Sequence, residues 1–317
     1  MQKYFDLVII GAGPAGLSAA LYASRAMLKT ALIEKETVGG LITTTSEITN
    51  YPGSSAGETG ESLAEKMKNQ AEAEGCEFFF SEVREIKKVN GLFICDISSF
   101  DSEILVSKAV IAAGGSHPRM LGIPGEEEFR GRGVSYCATC DAPFFRDRRV
   151  IVVGGGDAAL KEADYLTKFA SEVLLVHRRD EFRASSSIVN KVKANSKIKL
   201  QLSSVPAEIK GEHTVSAMTL RDLKTDSLYD LQADGVFIFA GFEPNTEIFR
   251  GLTELDADGC IITDEYMRTS LKGLFAAGDI RRTVLRQVIT AASDGAVSGV
   301  EAAKYIDESD WNYLGGE

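Results

Sequence analysis

Apolar and polar positions follow two periods along this chain. Residues 4–10 end in the apolar run Leu7–Ile10, residues 15–26 are rich in alanine and leucine, and residues 30–34 hold a second short apolar stretch at Ala31–Ile33. A short apolar run bounded by turn residues predicts a buried strand, and the strand–helix–strand order predicts a βαβ unit. The same order recurs at 149–153, 158–168 and 172–177. Parallel sheets covered by helices follow from such alternation.

A third signal lies near the C-terminus, where 273–277 predicts a short buried strand and 287–305 a helix. No nucleotide motif accompanies it, so it is expected to return to the first sheet. Two Gly/Pro-rich stretches, 114–118 and 241–246, follow the strand-like runs 109–113 and 236–240 and predict linkers. The expected fold class is therefore α/β, with two Rossmann-like dinucleotide-binding domains, the second inserted into the first. The outer domain is expected at 1–116 and 246–317 and the inserted one at 117–245.

Both predicted units carry a glycine fingerprint between first strand and helix: Gly11-x-Gly13-x-x-Gly16, and Gly154-x-Gly156-x-x-Ala159. Small residues there permit a tight turn, backbone approach to a pyrophosphate and close helix packing, while the helix N-terminus favours phosphate charge. Glu34 stands 23 positions after Gly11, and His177 stands 23 positions after Gly154. That is where such folds read the adenosine ribose. Glu34 accepts hydrogen bonds from ribose hydroxyls and favours an unphosphorylated ribose, as in FAD or NAD. In the second unit His177, Arg178 and Arg179, with Arg183 nearby, replace the acid. Guanidinium groups match a 2′-phosphate, so NADPH is expected there in preference to NADH.

Between the fingerprints lies Cys137-Ala-Thr-Cys140-Asp141. A zinc site would need two further ligands, and Cys76, Cys95 and Cys260 stand isolated in apolar runs; no metal is expected. A pair of structural thiols sits poorly beside Asp141. A redox dithiol fits best, with Asp141 as general acid to the departing thiolate or flavin. Two nucleotide sites bracketing a dithiol describe an electron path in which a nicotinamide gives hydride to a flavin and the flavin reduces a disulfide.

Composition narrows the setting. Of 317 residues 44% are hydrophobic and 26% charged, an ordinary balance for a globular protein long enough for two domains. The formal net charge of −11 argues against a general nucleic-acid binder. No charged-then-apolar leader opens the chain and no apolar stretch would span a bilayer. Five cysteines do not make a secreted disulfide framework, so a cytoplasmic protein without membrane attachment is expected.

Over essentially its whole length the chain resembles the low-molecular-weight thioredoxin reductases. Gly11–Gly16, Gly39-Gly40, Thr43-Thr44-Thr45, Asn50-Tyr51-Pro52-Gly53 and Gly278-Asp279 are similar to that family's FAD site, and Arg286-Gln287 to its pair beside the flavin ring. The redox segment from Gly131 to Asp141 and the phosphate motif His177-Arg178-Arg179 with Arg183 resemble the family's most specific motifs. Leu41, Lys161, Ala142-Pro143 and Phe242 depart from its pattern without removing a redox group. The resemblance implies an FAD-dependent reductase passing electrons from NADPH through Cys137 and Cys140 to thioredoxin, assembled as a homodimer. Reduction of another thioredoxin-like or electron-carrier protein is the alternative. Cys140 is expected to face the flavin; Arg132, Phe144 and Phe145 flank the pair, and the two phenylalanines belong either to an exposed rim toward a protein substrate or to the core. Since nicotinamide and disulfide ride on one domain and the flavin on the other, a rotation about 114–118 and 241–246 is expected.

Overall fold

The computed structural model describes residues 2–45, 47–98 and 103–309. The chain divides into two compact units, Met1–His117 with Glu243–Glu317, and Pro118–Phe242. The outer unit opens with β1 (Gln2–Ile10), α1 (Pro14–Arg25), β2 (Thr30–Glu34), α2 (Gly60–Ala73) and β3 (Glu77–Phe80). Three strands follow, β4 (Glu82–Val89), β5 (Leu92–Ser98) and β6 (Glu103–Ala112), before the short β7 (Ser116–Pro118). Their sheet runs β3-β2-β1-β6-β5-β4, parallel as far as β6 and antiparallel beyond it. Leu7, Val8 and Ile9 are fully buried because β1 is central and covered on both faces.

The inserted unit carries β8 (Val134–Ser135), α3 (Ala138–Asp141), β9 (Arg149–Val153), α4 (Asp157–Leu166), β10 (Glu172–Val176), α5 (Ser186–Ala194) and β11 (Ile198–Gln201). The antiparallel meander β12 (Ser204–Gly211), β13 (Val215–Asp222) and β14 (Leu228–Gln232) precedes β15 (Gly235–Ile238). The main sheet, β11-β10-β9-β15-β8, is parallel throughout. Its core packs Leu160, Ala163 and Leu166 of α4 against Val150, Val152 and Phe237.

The chain re-enters the outer unit through β16 (Phe242–Pro244) and adds β17 (Leu274–Ala276) and α6 (Val288–Glu308). β17 pairs in parallel with Val110–Ala112 of β6, completing the first sheet as the C-terminal apolar run predicts. α6 lies against α1: a Cβ on Gly295 would stand 2.0 Å from the Ala15 carbonyl oxygen, so only glycine permits that approach. The units divide one residue later on the way out, and three residues earlier on the return, than the sequence boundaries after 116 and 245. Asn245 explains the direction. Its Nδ2 donates to the Gly114 carbonyl at 2.7 Å and its backbone N–H to Gly115 at 3.1 Å, tying the return strand's end to the outer unit.

Candidate cofactor and dithiol sites

In the outer unit five predicted glycines converge on the N-terminus of α1. Gly11 has φ +104°, a left-handed conformation, and a Cβ there would stand 2.5 Å from the Ala113 oxygen. A Cβ on Gly16 would stand 1.8 Å from the Gly11 oxygen, so the helix start packs directly on the turn. Gly13, the N-cap, has no capping side chain and nothing within 4 Å of where its Cβ would be. A Cβ on Gly40 would be 3.8 Å from the Gly13 Cα, and one on Gly278 2.9 Å from the Ala15 Cβ. Open space thus faces the uncapped N–H groups of α1, which is what a pyrophosphate needs.

Glu34 ends β2 beside this turn. One carboxylate oxygen accepts from the Ala12 N–H and the other from the Glu36 N–H, each at 2.8 Å. Each oxygen has a second lone pair for a ribose hydroxyl. Residues far apart in sequence meet at α6: Asn50 Nδ2 donates to Oε1 of Gln287, the helix N-cap, at 2.9 Å. Asp279 follows Gly278 in a short turn, and burial pushes its carboxyl up to about 6, with Asp294 adding to the effect and Arg286 opposing it. Asp294 itself was not legible in the sequence. Its Oδ2 accepts from the Gly278 N–H at 3.1 Å and from Arg281 Nη1 at 2.9 Å.

The inserted unit repeats this plan with different side chains. A Cβ on Gly154 would be 2.5 Å from the Ala159 Cβ, while Gly156, the N-cap of α4, faces open space. The His177 ring occupies the place a side chain at Gly155 would take, and it stacks on Phe182 at 5.4 Å. Burial lowers its proton affinity, a backbone hydrogen bond at Glu181 opposes this, and the charges of Arg178, Arg179 and Arg183 lower it further. The Arg183 N–H donates to the Gly155 carbonyl at 3.0 Å, docking the arginine loop on the glycine turn. Asp157 Oδ1 accepts from the Ser185 N–H at 2.8 Å and fixes the loop's far end. Arg178, Arg179 and Arg183 are exposed and, among the described residues, make no ion pair. This turn presents an uncapped helix and free guanidinium groups, which suit a phosphorylated nucleotide.

The dithiol lies just beyond β8. Cys137 and Cys140 form a disulfide with their Cα atoms 5.3 Å apart, and Cys137 Sγ accepts from the Cys140 N–H at 3.2 Å. The pairing of Ser135 with Phe237 of β15 fixes the strand that enters this turn. Tyr136 anchors it further, donating to the buried Glu126 at 2.8 Å, whose carboxylate also accepts the Leu121 and Gly122 N–H groups. Asp141 is half-buried, and burial raises its carboxyl's proton affinity while a hydrogen bond from Ser135 opposes the rise. Cys76, Cys95 and Cys260 are buried and unpaired; burial pushes the first two up to about 12. Among the described residues no three His, Cys, Asp or Glu side chains are grouped to hold a metal.

The two phenylalanines divide between the rim and the core. Phe144 is 49% exposed and Arg132 is exposed, but Phe145 is half-buried, edge-on to Phe237 at 5.1 Å. A Cβ on Gly235 would overlap the Phe145 ring at 2.2 Å, so this side chain fills a slot in the core. A cleft of about 300 Å³ remains beside it, lined by Gly131, Arg132, Phe144, Phe145, Arg148 and Val215 among others.

The family model of the pyridine nucleotide-disulphide oxidoreductases matches residues 5–295. A thioredoxin reductase of Peptoclostridium acidaminophilum is 45% identical over 313 residues, covering 97% of this chain and 98% of that protein. The crystal structure of thioredoxin reductase from Streptococcus pyogenes superposes with a TM-score of 0.90 at 42% identity, over 96% of this chain and 99% of that one. Thioredoxin reductase from Giardia duodenalis gives a TM-score of 0.90 at 36% identity, over 96% and 100% of the two chains.

Proposed function

The chain belongs to the pyridine nucleotide-disulphide oxidoreductase family, and from that premise we propose that it is an NADPH-dependent, FAD-containing reductase of thioredoxin. The observation that carries the reading is a formed Cys137–Cys140 disulfide with an acid at the next position, on a unit that also holds a nucleotide turn. FAD, when bound, would supply the two-electron chemistry that links NADPH to a disulfide.

The residues divide that work. Gly11, Gly13, Gly16, Gly40 and Gly278 shape the outer turn for the FAD pyrophosphate, with Glu34 on the adenosine ribose. Asn50, Asp279, Arg286 and Gln287 hold the flavin end. Gly154, Gly156 and Ala159 shape the inserted turn, and His177, Arg178, Arg179 and Arg183 hold the nucleotide and its 2′-phosphate. The outer unit is thus the FAD domain and the inserted unit the NADPH domain. Two-electron reduction of the Cys137–Cys140 bond leaves two sulfurs that need protons, and Asp141, next to Cys140 in sequence, is the acid assigned to supply one. The resulting dithiol passes two electrons to the thioredoxin disulfide and becomes oxidised again.

Arg132 and Phe144 form the docking rim. A carrier and its donor on different units call for a reorientation about the two chain crossings. We further assign a homodimeric assembly and a cytoplasmic location. Val284, Leu285 and Ile289 are exposed apolar side chains that such an assembly would cover, and no described helix is long and apolar enough to cross a membrane. The test is NADPH-driven reduction of thioredoxin, read with a chromogenic disulfide, in the parent, Cys137→Ser and Cys140→Ser. Both variants are expected to lose thioredoxin reduction while NADPH still bleaches the flavin. Thioredoxin turnover retained in either serine variant overturns the assignment.

A further inference from the structure

Ser135 is a buried hydroxyl at the end of β8, 4% exposed, that neither the strand nor the core requires. A strand terminus would be satisfied by any small residue, yet this side chain joins two parts of the dithiol turn. Its Oγ donates to Asp141 Oδ2 at 2.6 Å and accepts from the Cys137 N–H at 3.1 Å. The Cys137 carbonyl is the other acceptor within reach, at 3.3 Å. A hydroxyl has one proton to give, and the shorter distance, in the range of charge-assisted O–H···O⁻ bonds, assigns that proton to the carboxylate.

We propose that Ser135 is a positioning residue for disulfide reduction: it holds Asp141 Oδ2 against the Cys137 backbone and leaves Oδ1 as the oxygen that carries and delivers the proton. This rests on the reading of Asp141 as the general acid. The geometry is rigid at both ends. The Ser135 backbone is fixed by its register with Phe237, and Asp141 closes the first turn after Cys137, its N–H donating to the Cys137 carbonyl at 3.1 Å. With Oδ2 accepting the Ser135 proton at 2.6 Å, protonation on Oδ2 would force that hydroxyl to turn to the longer 3.3 Å contact with the Cys137 carbonyl, so the proton goes to Oδ1. The same bond favours the charged form of Asp141 and counters the burial that holds its proton back. Among the described residues, burial raises this carboxyl's proton affinity and the hydrogen bond from Ser135 opposes it.

The experiment compares Ser135→Ala, Ser135→Thr and Asp141→Asn holoenzymes, each with its FAD content measured. The readouts are thioredoxin kcat and KM across pH, and the rate of flavin bleaching by NADPH alone. Ser135→Ala is expected to lower thioredoxin kcat roughly tenfold or more, the effect of one hydrogen bond to a charged group. KM and the NADPH half-reaction are expected to stay within twofold. The alkaline limb of kcat is expected to move to higher pH, because removing a donor to the carboxylate makes Asp141 a weaker acid. Ser135→Thr, which restores the hydroxyl, is expected to recover both rate and profile. A slow Asp141→Asn variant beside a Ser135→Ala variant with parental rate and profile overturns the role of Ser135 alone. A drop in kcat with an unmoved limb does the same, since a merely structural role predicts it. An Asp141→Asn variant that turns over at the parental rate removes the acid itself and takes the inference with it.

Discussion

Replacing Asp294 by alanine removes the carboxylate beneath the Gly278–Asp279 turn and leaves Arg281 behind. The two side chains are only 13% and 15% exposed and meet at 2.9 Å, so the pair is largely desolvated. Arginine does not shed its charge in a protein, and Arg281 keeps a bond from Nε to Thr263 Oγ1 at 2.7 Å. Breaking a buried pair from one side costs about 3–5 kcal/mol; the retained Thr263 bond and residual exposure place this case near 3. The Gly278 N–H loses its acceptor as well, which adds about 1 kcal/mol. A total near 4 kcal/mol is a large part of the 5–15 kcal/mol that holds most domains folded. The assay is urea unfolding followed by circular dichroism, with FAD content measured in parallel, since Gly278 and Asp279 are assigned to the flavin site. Asp294→Asn keeps an acceptor and is expected to lose about half as much. The double variant Arg281→Met with Asp294→Ala is expected to recover most of the loss, because no uncompensated charge remains. A single-variant cost below about 1 kcal/mol, or a double variant no better than the single, would refute the argument.

Two other expectations follow from the nucleotide sites. Arg178→Ala and Arg183→Ala are each expected to raise the KM for NADPH about tenfold, as lost charge-assisted hydrogen bonds would, and to leave NADH kinetics unchanged; equal losses with both nucleotides would remove the 2′-phosphate assignment. Asp279 supplies a pH dependence: its carboxyl, raised to about 6 mainly by burial, gives the FAD-free protein stability that is complete below about pH 4 and lost as pH rises through 6. Asp279→Asn is therefore expected to gain on the parent by about 3 kcal/mol between pH 4 and 7, and parallel stability curves over that range would contradict it.

The parts of this fold that the sequence made legible are those where one residue type is required at one spacing. The glycine turns, Glu34 and His177 at matched offsets, and the central apolar strands all fall in that class. The flank of the outer sheet does not. Val83 and Ile86 are buried three residues apart in β4, a spacing that imitates a helix. The cause is an irregularity of pairing with β5 between Val83 and Glu85, which turns both side chains to the same face. The sequence leaves Phe145 open between rim and core for a related reason: its slot exists because Gly235, 90 positions away, carries no side chain. Neither signal is local.

The same distinction separates the groups assigned to the reaction from the groups assigned to aim them. Cys137, Cys140 and Asp141 announce themselves because their chemistry admits few substitutes and their spacing is short. Ser135 and Asp294 do not, since serines and aspartates are common and their hydrogen bonds acquire meaning only when strand pairing or helix packing delivers the partner. Ser135 reaches Asp141 through a turn that begins at the strand end, and Asp294 reaches Gly278 across 16 residues from α6. Each satisfies a buried polar group that would otherwise be costly, and each does so beside a residue assigned to catalysis or cofactor binding. Stability and alignment are therefore coupled at both places. A substitution that merely loosened the fold would affect all substrates and pH values alike, whereas loss of the Ser135 hydroxyl changes which proton is available to the dithiol. That difference is why the pH profile, and not the rate alone, decides what Ser135 does.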